Sequence, residues 1–348
     1  MTHGVALAAL LVGALLFFGC SQKEPAASTA GPSPTATAGP ASPTSVSTAT
    51  PVAVRGVLPD RSATPIPLPN VLQLSAPSRQ VIWALGAGQR LFSSNDRGGT
   101  WQPRGLPASV ASAEISFIDE EEGWLSAIGS PATQCQQQSF ALWHTGDAGM
   151  TWVQMAVAGI AAEQCKSSLA FVDKTRGVVI ASDPNHPPVV YRTIDGGQTW
   201  RASAPVPDPP GFTTQPGGQT LEVGRVRAFD STLLVLVGAP GLSQYVYRST
   251  DGGATWAPGA AIPHIDGGLA IVSATRWLVI GPVPQSIETT DSGATWHPFA
   301  TDYSQASPVT PVVLFGDQDV GYATTRGAIQ RTVDGGAHWT RIVTPGTG

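Results

Sequence analysis

Six aspartates are the side chains whose type and spacing first suggest chemistry. Each lies in the pattern Ser/Thr-x-Asp-x-Gly-x-Thr-Trp. The matches are Ser94, Asp96, Gly98, Thr100 and Trp101; Thr145, Asp147, Gly149, Thr151 and Trp152; and Thr193, Asp195, Gly197, Thr199 and Trp200. They continue with Ser249, Asp251, Gly253, Thr255 and Trp256; Thr289, Asp291, Gly293, Thr295 and Trp296; and Thr332, Asp334, Gly336, His338 and Trp339. Only the last departs from the pattern, with His338 in place of Thr. Six carboxylates could hold metals or act as acid and base. Hydrolysis of a glycoside, however, needs two carboxylates about 5–10 Å apart. Successive tryptophans here are 51, 48, 56, 40 and 43 residues apart, which spreads one aspartate to each repeat around a ring. The chemistry that fits is structural. An Asp side chain can accept backbone N–H groups just ahead of it and close a turn. The Gly takes a positive φ, and the Thr-Trp pair starts a strand whose ring can wedge between sheets.

Other polar clusters carry less. Asp119-Glu120-Glu121-Glu122 falls in a turn between two strands and reads as a solvated acidic loop. His3, His144, His186, His264, His297 and His338 show no paired spacing, and no metal-ligand set or phosphate-binding glycine loop is present, so no metal or cofactor is expected. A net charge of −5 with only three lysines (Lys23, Lys166, Lys174) gives no basic footprint for nucleic acid.

The elements that position the boxes also repeat. Ile115-Ser116-Phe117-Ile118-Asp119 leads to Gly123-Trp124-Leu125-Ser126; Leu169 to Asp173 leads to Gly177-Val178-Val179-Ile180; and Val313 to Asp317 leads to Gly321-Tyr322-Ala323. Weaker copies run from Val226 to Asp230 and from Leu269 to Val272. Each copy gives two short strands joined by a polar turn; a third enters the box and a fourth leaves from the Trp. Four strands per repeat, radially repeated, predict an all-β fold, a β-propeller with four-stranded antiparallel blades. The boxes give six blades. A seventh, degenerate blade is the alternative, placed in 201–224, where Pro205, Pro207, Pro209 and Pro210 argue for a loop instead.

The N-terminus reads as a targeting segment. Val5 to Phe18 is small and apolar, too short for a membrane-spanning helix of about 20 residues. Leu16-Phe17-Phe18-Gly19-Cys20 resembles a bacterial lipobox, which implies lipidation at Cys20; the alternative is plain secretion with Cys20 removed. The expected organisation is a signal peptide over 1–20, a disordered Pro/Ser/Thr/Ala tether over 21–65 and the propeller over 66–348. The expected location is extracytoplasmic, as a bacterial membrane lipoprotein or a secreted protein.

The six boxes together with the Phe-x-Asp…Gly-Trp element resemble the Asp-box (BNR) propeller superfamily, and within it the photosystem II stability/assembly factor-like domains most. That resemblance implies a scaffold that binds a protein or a glycan. The superfamily also holds sialidases, which imply the alternative of a glycoside hydrolase. The sialidase pattern needs three arginines, a Tyr/Glu pair and an acid. Arg79, Arg225, Arg276 and Arg326, with Tyr245 and Glu222, are present, but no spacing links them, and Thr64 to Pro69 lacks the Arg of the first-blade element. No catalytic residue is assigned.

Long loops are expected on the face opposite the boxes: 128–139, 182–189 and 203–221. Cys135 and Cys165 fall in loop types that emerge on that face, and export exposes them to oxidation, so a Cys135–Cys165 disulfide is expected. Asn185, His186 and Phe212 are the candidate partner contacts on the same rim. The alternative is that these loops are tolerated insertions.

Overall fold

Short runs of β-branched and aromatic residues, separated by Gly, Asp and Ser turns, favour antiparallel strands over helices. The computed structural model describes residues 51–58, 72–86, 89–107, 113–129, 137–183, 186–215, 218, 220–239, 241–304 and 309–347, and every regular element among them is a strand. They form six sheets in which consecutive strands pair antiparallel. Blade one runs from an inner strand, Leu72–Ser75, to an outer one, Gln102–Arg104, and blade two from Ala113–Phe117 to Thr151–Gln154. Blade three runs from Cys165–Phe171 to Arg201–Ala202, blade five from Gly268–Ile271 to His297–Pro298, and blade six from Val312–Phe315 to Thr340–Ile342.

Blade four starts at Glu222–Phe229, and its fourth position is filled irregularly. Ala257 and Ala261 make single bridges to Arg248 and Tyr245. Pro258 breaks the ladder there because it has no N–H to donate. The described part of 203–221 contains no strand. The fold is a six-bladed β-propeller, with the consecutive strands of each blade drawn from one contiguous stretch.

One expectation is corrected. Ala53–Arg55, inside the stretch read as tether, is a strand on the outer edge of blade two, with Ala53, Val54 and Arg55 opposite Val153, Trp152 and Thr151. The compact unit accordingly begins at Ala49. Its Ala-Val-Arg run is too short to signal a strand alone, and long-range pairing decides it. The expected signal peptide and the tether up to residue 50 lie outside the described residues.

Six apolar clusters fill the six joints of the ring. The joint between blades one and two holds Trp83, Leu85, Ile115, Phe117, Leu125 and Trp152, and the one that closes the ring holds Leu72, Ile82, Leu314, Tyr322 and Ile329 with Trp101. Each box Trp sits in the joint between its own blade and the preceding one: Trp200, Trp256, Trp296 and Trp339 repeat the placement of Trp101 and Trp152. The Phe…Gly element has a steric reason. A Cβ on Gly123 would come within 2.2 Å of the Phe117 ring, on Gly177 within 2.8 Å of Phe171 and on Gly321 within 2.6 Å of Phe315. The missing side chain makes room for the Phe ring, which then stacks on the preceding blade's Trp: Trp83 on Phe117 at 3.6 Å and Trp124 on Phe171 at 3.8 Å between centroids.

Candidate functional site

All six boxes close by one set of hydrogen bonds. The leading hydroxyl (Ser94, Thr145, Thr193, Ser249, Thr289, Thr332) accepts from the box Gly N–H at 2.8–3.0 Å and donates to Asp Oδ1. The same Oδ1 accepts the backbone N–H four residues on, from Thr100, Thr151, Thr199, Thr255, Thr295 or His338. Oδ2 takes the hydroxyl of that Thr, or in the last box the ring Nδ1 of His338 at 2.6 Å. Both carboxylate oxygens of all six aspartates are thus consumed inside their own turns.

The acidity follows. The Thr100 N–H and Ser94 hydroxyl hold Asp96 at about 2, and the Thr255 and Thr295 hydroxyls and N–H groups do the same for Asp251 and Asp291. Burial pushes Asp147, Asp195 and Asp334 upward, but their hydrogen bonds outweigh it and leave them below the usual carboxylate range, Asp334 at about 2. None of the six is a proton donor near neutral pH.

The acidic turn is also spent locally. Asp119 Oδ1 accepts the N–H groups of Glu121 and Glu122, Glu120 is hydrogen-bonded by Asn95, and Glu122 pairs with Lys174 at 2.5 Å and His144 at 2.8 Å. No group of three or more His, Cys, Asp or Glu that could hold a metal occurs among the described residues.

The axis of the ring differs. Inner strands have a free backbone edge, and side chains of the neighbouring inner strand satisfy part of it. Gln73 and Ser75 accept the N–H groups of Ile115 and Phe117, Glu114 and Ser116 accept those of Leu169 and Phe171, and Ser168 accepts that of Arg225. Burial pushes the Glu114 carboxyl up. The inner strands of blades three and four each bulge, with Ser168 at φ 58° and Arg225 at φ 52°. Arg225 is open to solvent, yet surrounding protein desolvates its guanidinium enough to lower its pKa. Arg227, two residues on, reaches from blade four to blade six, where Nη2 donates to the Phe315 carbonyl at 2.7 Å. Burial lowers its pKa to about 10 and leaves Nε without a partner. Neither arginine forms an ion pair among the described residues. Two cations on the inner strand of blade four with no ion-pair partner among the described residues are what an acidic ligand would complete.

Two of the other arginines of the sialidase pattern are held in ion pairs. Arg79 pairs with Asp317 and Asp319 at 3.3 and 2.8 Å, and Arg276 pairs with Glu288 at 2.6 Å and donates to the Gln318 and Gly335 carbonyls. Arg326 is a turn residue at φ 49°. On the loop rim, His186 is bonded through its N–H and its Nδ1 to Asp183 while its ring stays exposed. Phe212 packs half-buried on the core between blades three and four. Asn185 lies outside the described residues. Cys165 is disulfide-bonded, and its expected partner Cys135 also lies outside them. Beside it Lys166, only 3% exposed, donates to the carbonyls of Ala162, Glu163 and Gln164, each at 2.8 Å. Sequence reading missed the special place of Arg227 and Lys166. The only signal for Arg227 was an Arg inside an apolar strand.

The BNR/Asp-box repeat pattern matches residues 247–258, the box of blade four. The chain is an Asp-box repeat β-propeller. A Paenibacillus sp xyloglucanase is 22% identical to it over 293 residues, covering 70% of this chain and 27% of the relative. The chloroplastic photosystem II stability/assembly factor HCF136 of Arabidopsis thaliana is 26% identical over 289 residues, covering 76% of this chain and 64% of the relative. The propeller therefore spans less than two thirds of either relative's length. Among solved structures, AofleA from Arthrobotrys oligospora is similar with a TM-score of 0.51 at 14% identity, over 84% of this chain and 88% of that one. At that identity the likeness speaks to the fold alone.

Proposed function

We propose that this propeller is an exported binding scaffold, held at the membrane by a lipid on Cys20, that grips an acidic group of a protein partner at its axial mouth and performs no chemistry of its own. The observation that carries the reading is the pair Arg225 and Arg227, desolvated on the inner strand of blade four and without an acidic partner among the described residues. The relative named as an assembly factor supports a protein partner over a glycan. The six repeated carboxylates offer no competing catalytic pair, because each is saturated within its turn.

Cross-linking full-length protein in its native cells tests this, with Arg225→Glu in parallel. The expected result is a reproducible set of membrane or envelope proteins with the wild type, depleted at least tenfold with the variant, while both give the same far-UV circular dichroism spectrum. Equal capture by the variant would overturn the axial site. The second reading, a glycoside hydrolase, rests on the xyloglucanase match. It predicts turnover of xyloglucan or a fluorogenic sialoside by the purified chain, and robust turnover would displace the scaffold reading.

A further inference from the structure

The outer edges of the blades are not alike. An exposed edge strand offers unpaired N–H and C=O groups, and stable proteins blunt it with Pro, charge or irregularity. Blade one ends in Gln102-Pro103-Arg104, blade three in Arg201-Ala202, blade five in His297-Pro298 and blade six in Thr340-Arg341-Ile342, while Pro258 interrupts blade four. Blade two ends in Thr151-Trp152-Val153-Gln154, with neither Pro nor charge. That unguarded edge is the one that carries an extra strand, Ala53–Arg55.

The seat is shaped for its occupant. Beyond the ladder, the Gly56 N–H donates to the Met150 carbonyl at 2.9 Å, and Val57 and Leu106 exchange N–H···O bonds at 2.7 and 3.0 Å. The segment therefore crosses from blade two to the chain leaving blade one. Two glycines allow the crossing. A Cβ on Gly56 would lie 2.7 Å from the Gly149 carbonyl oxygen and 2.9 Å from the Gly105 Cα, and one on Gly105 would lie 2.4 Å from the Gly56 carbonyl carbon. Val54 packs on the cluster that contains Trp152. Backbone pairing, a glycine crossing and one apolar anchor together are the recognition elements of strand addition.

We propose that the outer edge of blade two, from Thr151 to Gln154 with Gly105 and Leu106, is a strand-acceptor site filled by the chain's own residues 51–58, and that an extended peptide of the same pattern, with an apolar residue two positions before Gly and another just after it, is its exchangeable ligand. The site is separate from the axial mouth and does not depend on the function proposed for it.

The test keeps the whole chain. A protease site is inserted between Leu58 and Val71, the folded protein is cut, and a labelled synthetic peptide of residues 49–58 is added. The 1–58 piece is expected to stay bound through gel filtration and to be displaced saturably by the peptide. A Gly56→Val peptide should compete at least tenfold more weakly. Pairing of the uncovered edge with a second copy, seen as a dimer that the peptide dissolves, would also support the site. Immediate loss of the piece, with hydrogen exchange at Trp152 unchanged and no peptide binding, would overturn it. Exchange at Leu125 and Ser126 reports whether the blade itself stays folded.

Discussion

The depressed box aspartates make acid the sensitive variable at the residue scale. Asp96, Asp251, Asp291 and Asp334 stand at about 2 in the folded chain, and Asp147 and Asp195 are also lowered. Unfolded aspartate titrates near 3.9, so each group binds its proton more readily in the unfolded chain. Their stabilisation is complete above the unfolded value and is lost as pH falls through the folded one. Thermal melts should therefore vary little from these groups above pH about 5 and fall steeply between about 4 and 2. A melting temperature flat down to pH 2.5 would contradict the box geometry. His338 has the opposite sign: Asp334 raises its pKa, so its contribution is present below the unfolded value and fades as pH rises through the folded one. Both the turn chemistry and its repetition were legible in the sequence, because every bond in a box is local and spans four residues or fewer.

At the scale of elements, the Trp that leaves each box is a joint filler, and the joints are not equally dry. Trp152 is fully buried and donates to the Gly105 carbonyl at 2.9 Å, whereas Trp101 is half-buried and donates to the Val343 carbonyl where the ring closes. Trp152→Ala should cost about 3–5 kcal/mol. Trp101→Ala should cost clearly less, since less apolar surface leaves water there. Urea titrations of the two variants measure the difference, and equal losses would refute the ranking. The strands, the inner Phe…Gly element and the blade count were readable from repetition. The strand at Ala53–Arg55 was not, because the mostly apolar run Val52 to Leu58 is too short to signal a strand on its own. Its pairing partner is about a hundred residues away, on an edge recognisable as unguarded only after all six are compared.

For the whole molecule, the two places that depart from repetition were the least legible, and both sit where blades three and four meet the axis or the loop face. The bulges at Ser168 and Arg225 put non-glycine residues at positive φ, which no sequence pattern announces. The disulfide at Cys165 lies at the start of the blade-three inner strand, next to the Lys166 side chain that ties the carbonyls of Ala162, Glu163 and Gln164 together. With Cys135 as its partner it would close a loop of about 30 residues and contribute roughly 3–4 kcal/mol by restricting the unfolded chain. Peptide mapping of unreduced protein should yield one linked peptide holding Cys135 and Cys165. Reduction should lower the melting temperature and speed exchange first at Lys166 and Gln138, whose side-chain oxygen accepts the Lys166 N–H at 2.7 Å. The box face should respond last, because the Glu122–Lys174 pair and the box turns depend on no bond in that loop. A linked peptide without Cys135 would overturn the pairing, and uniform loss of protection across all six blades would show that the bridge serves the ring as a whole rather than the rim between blades two and three.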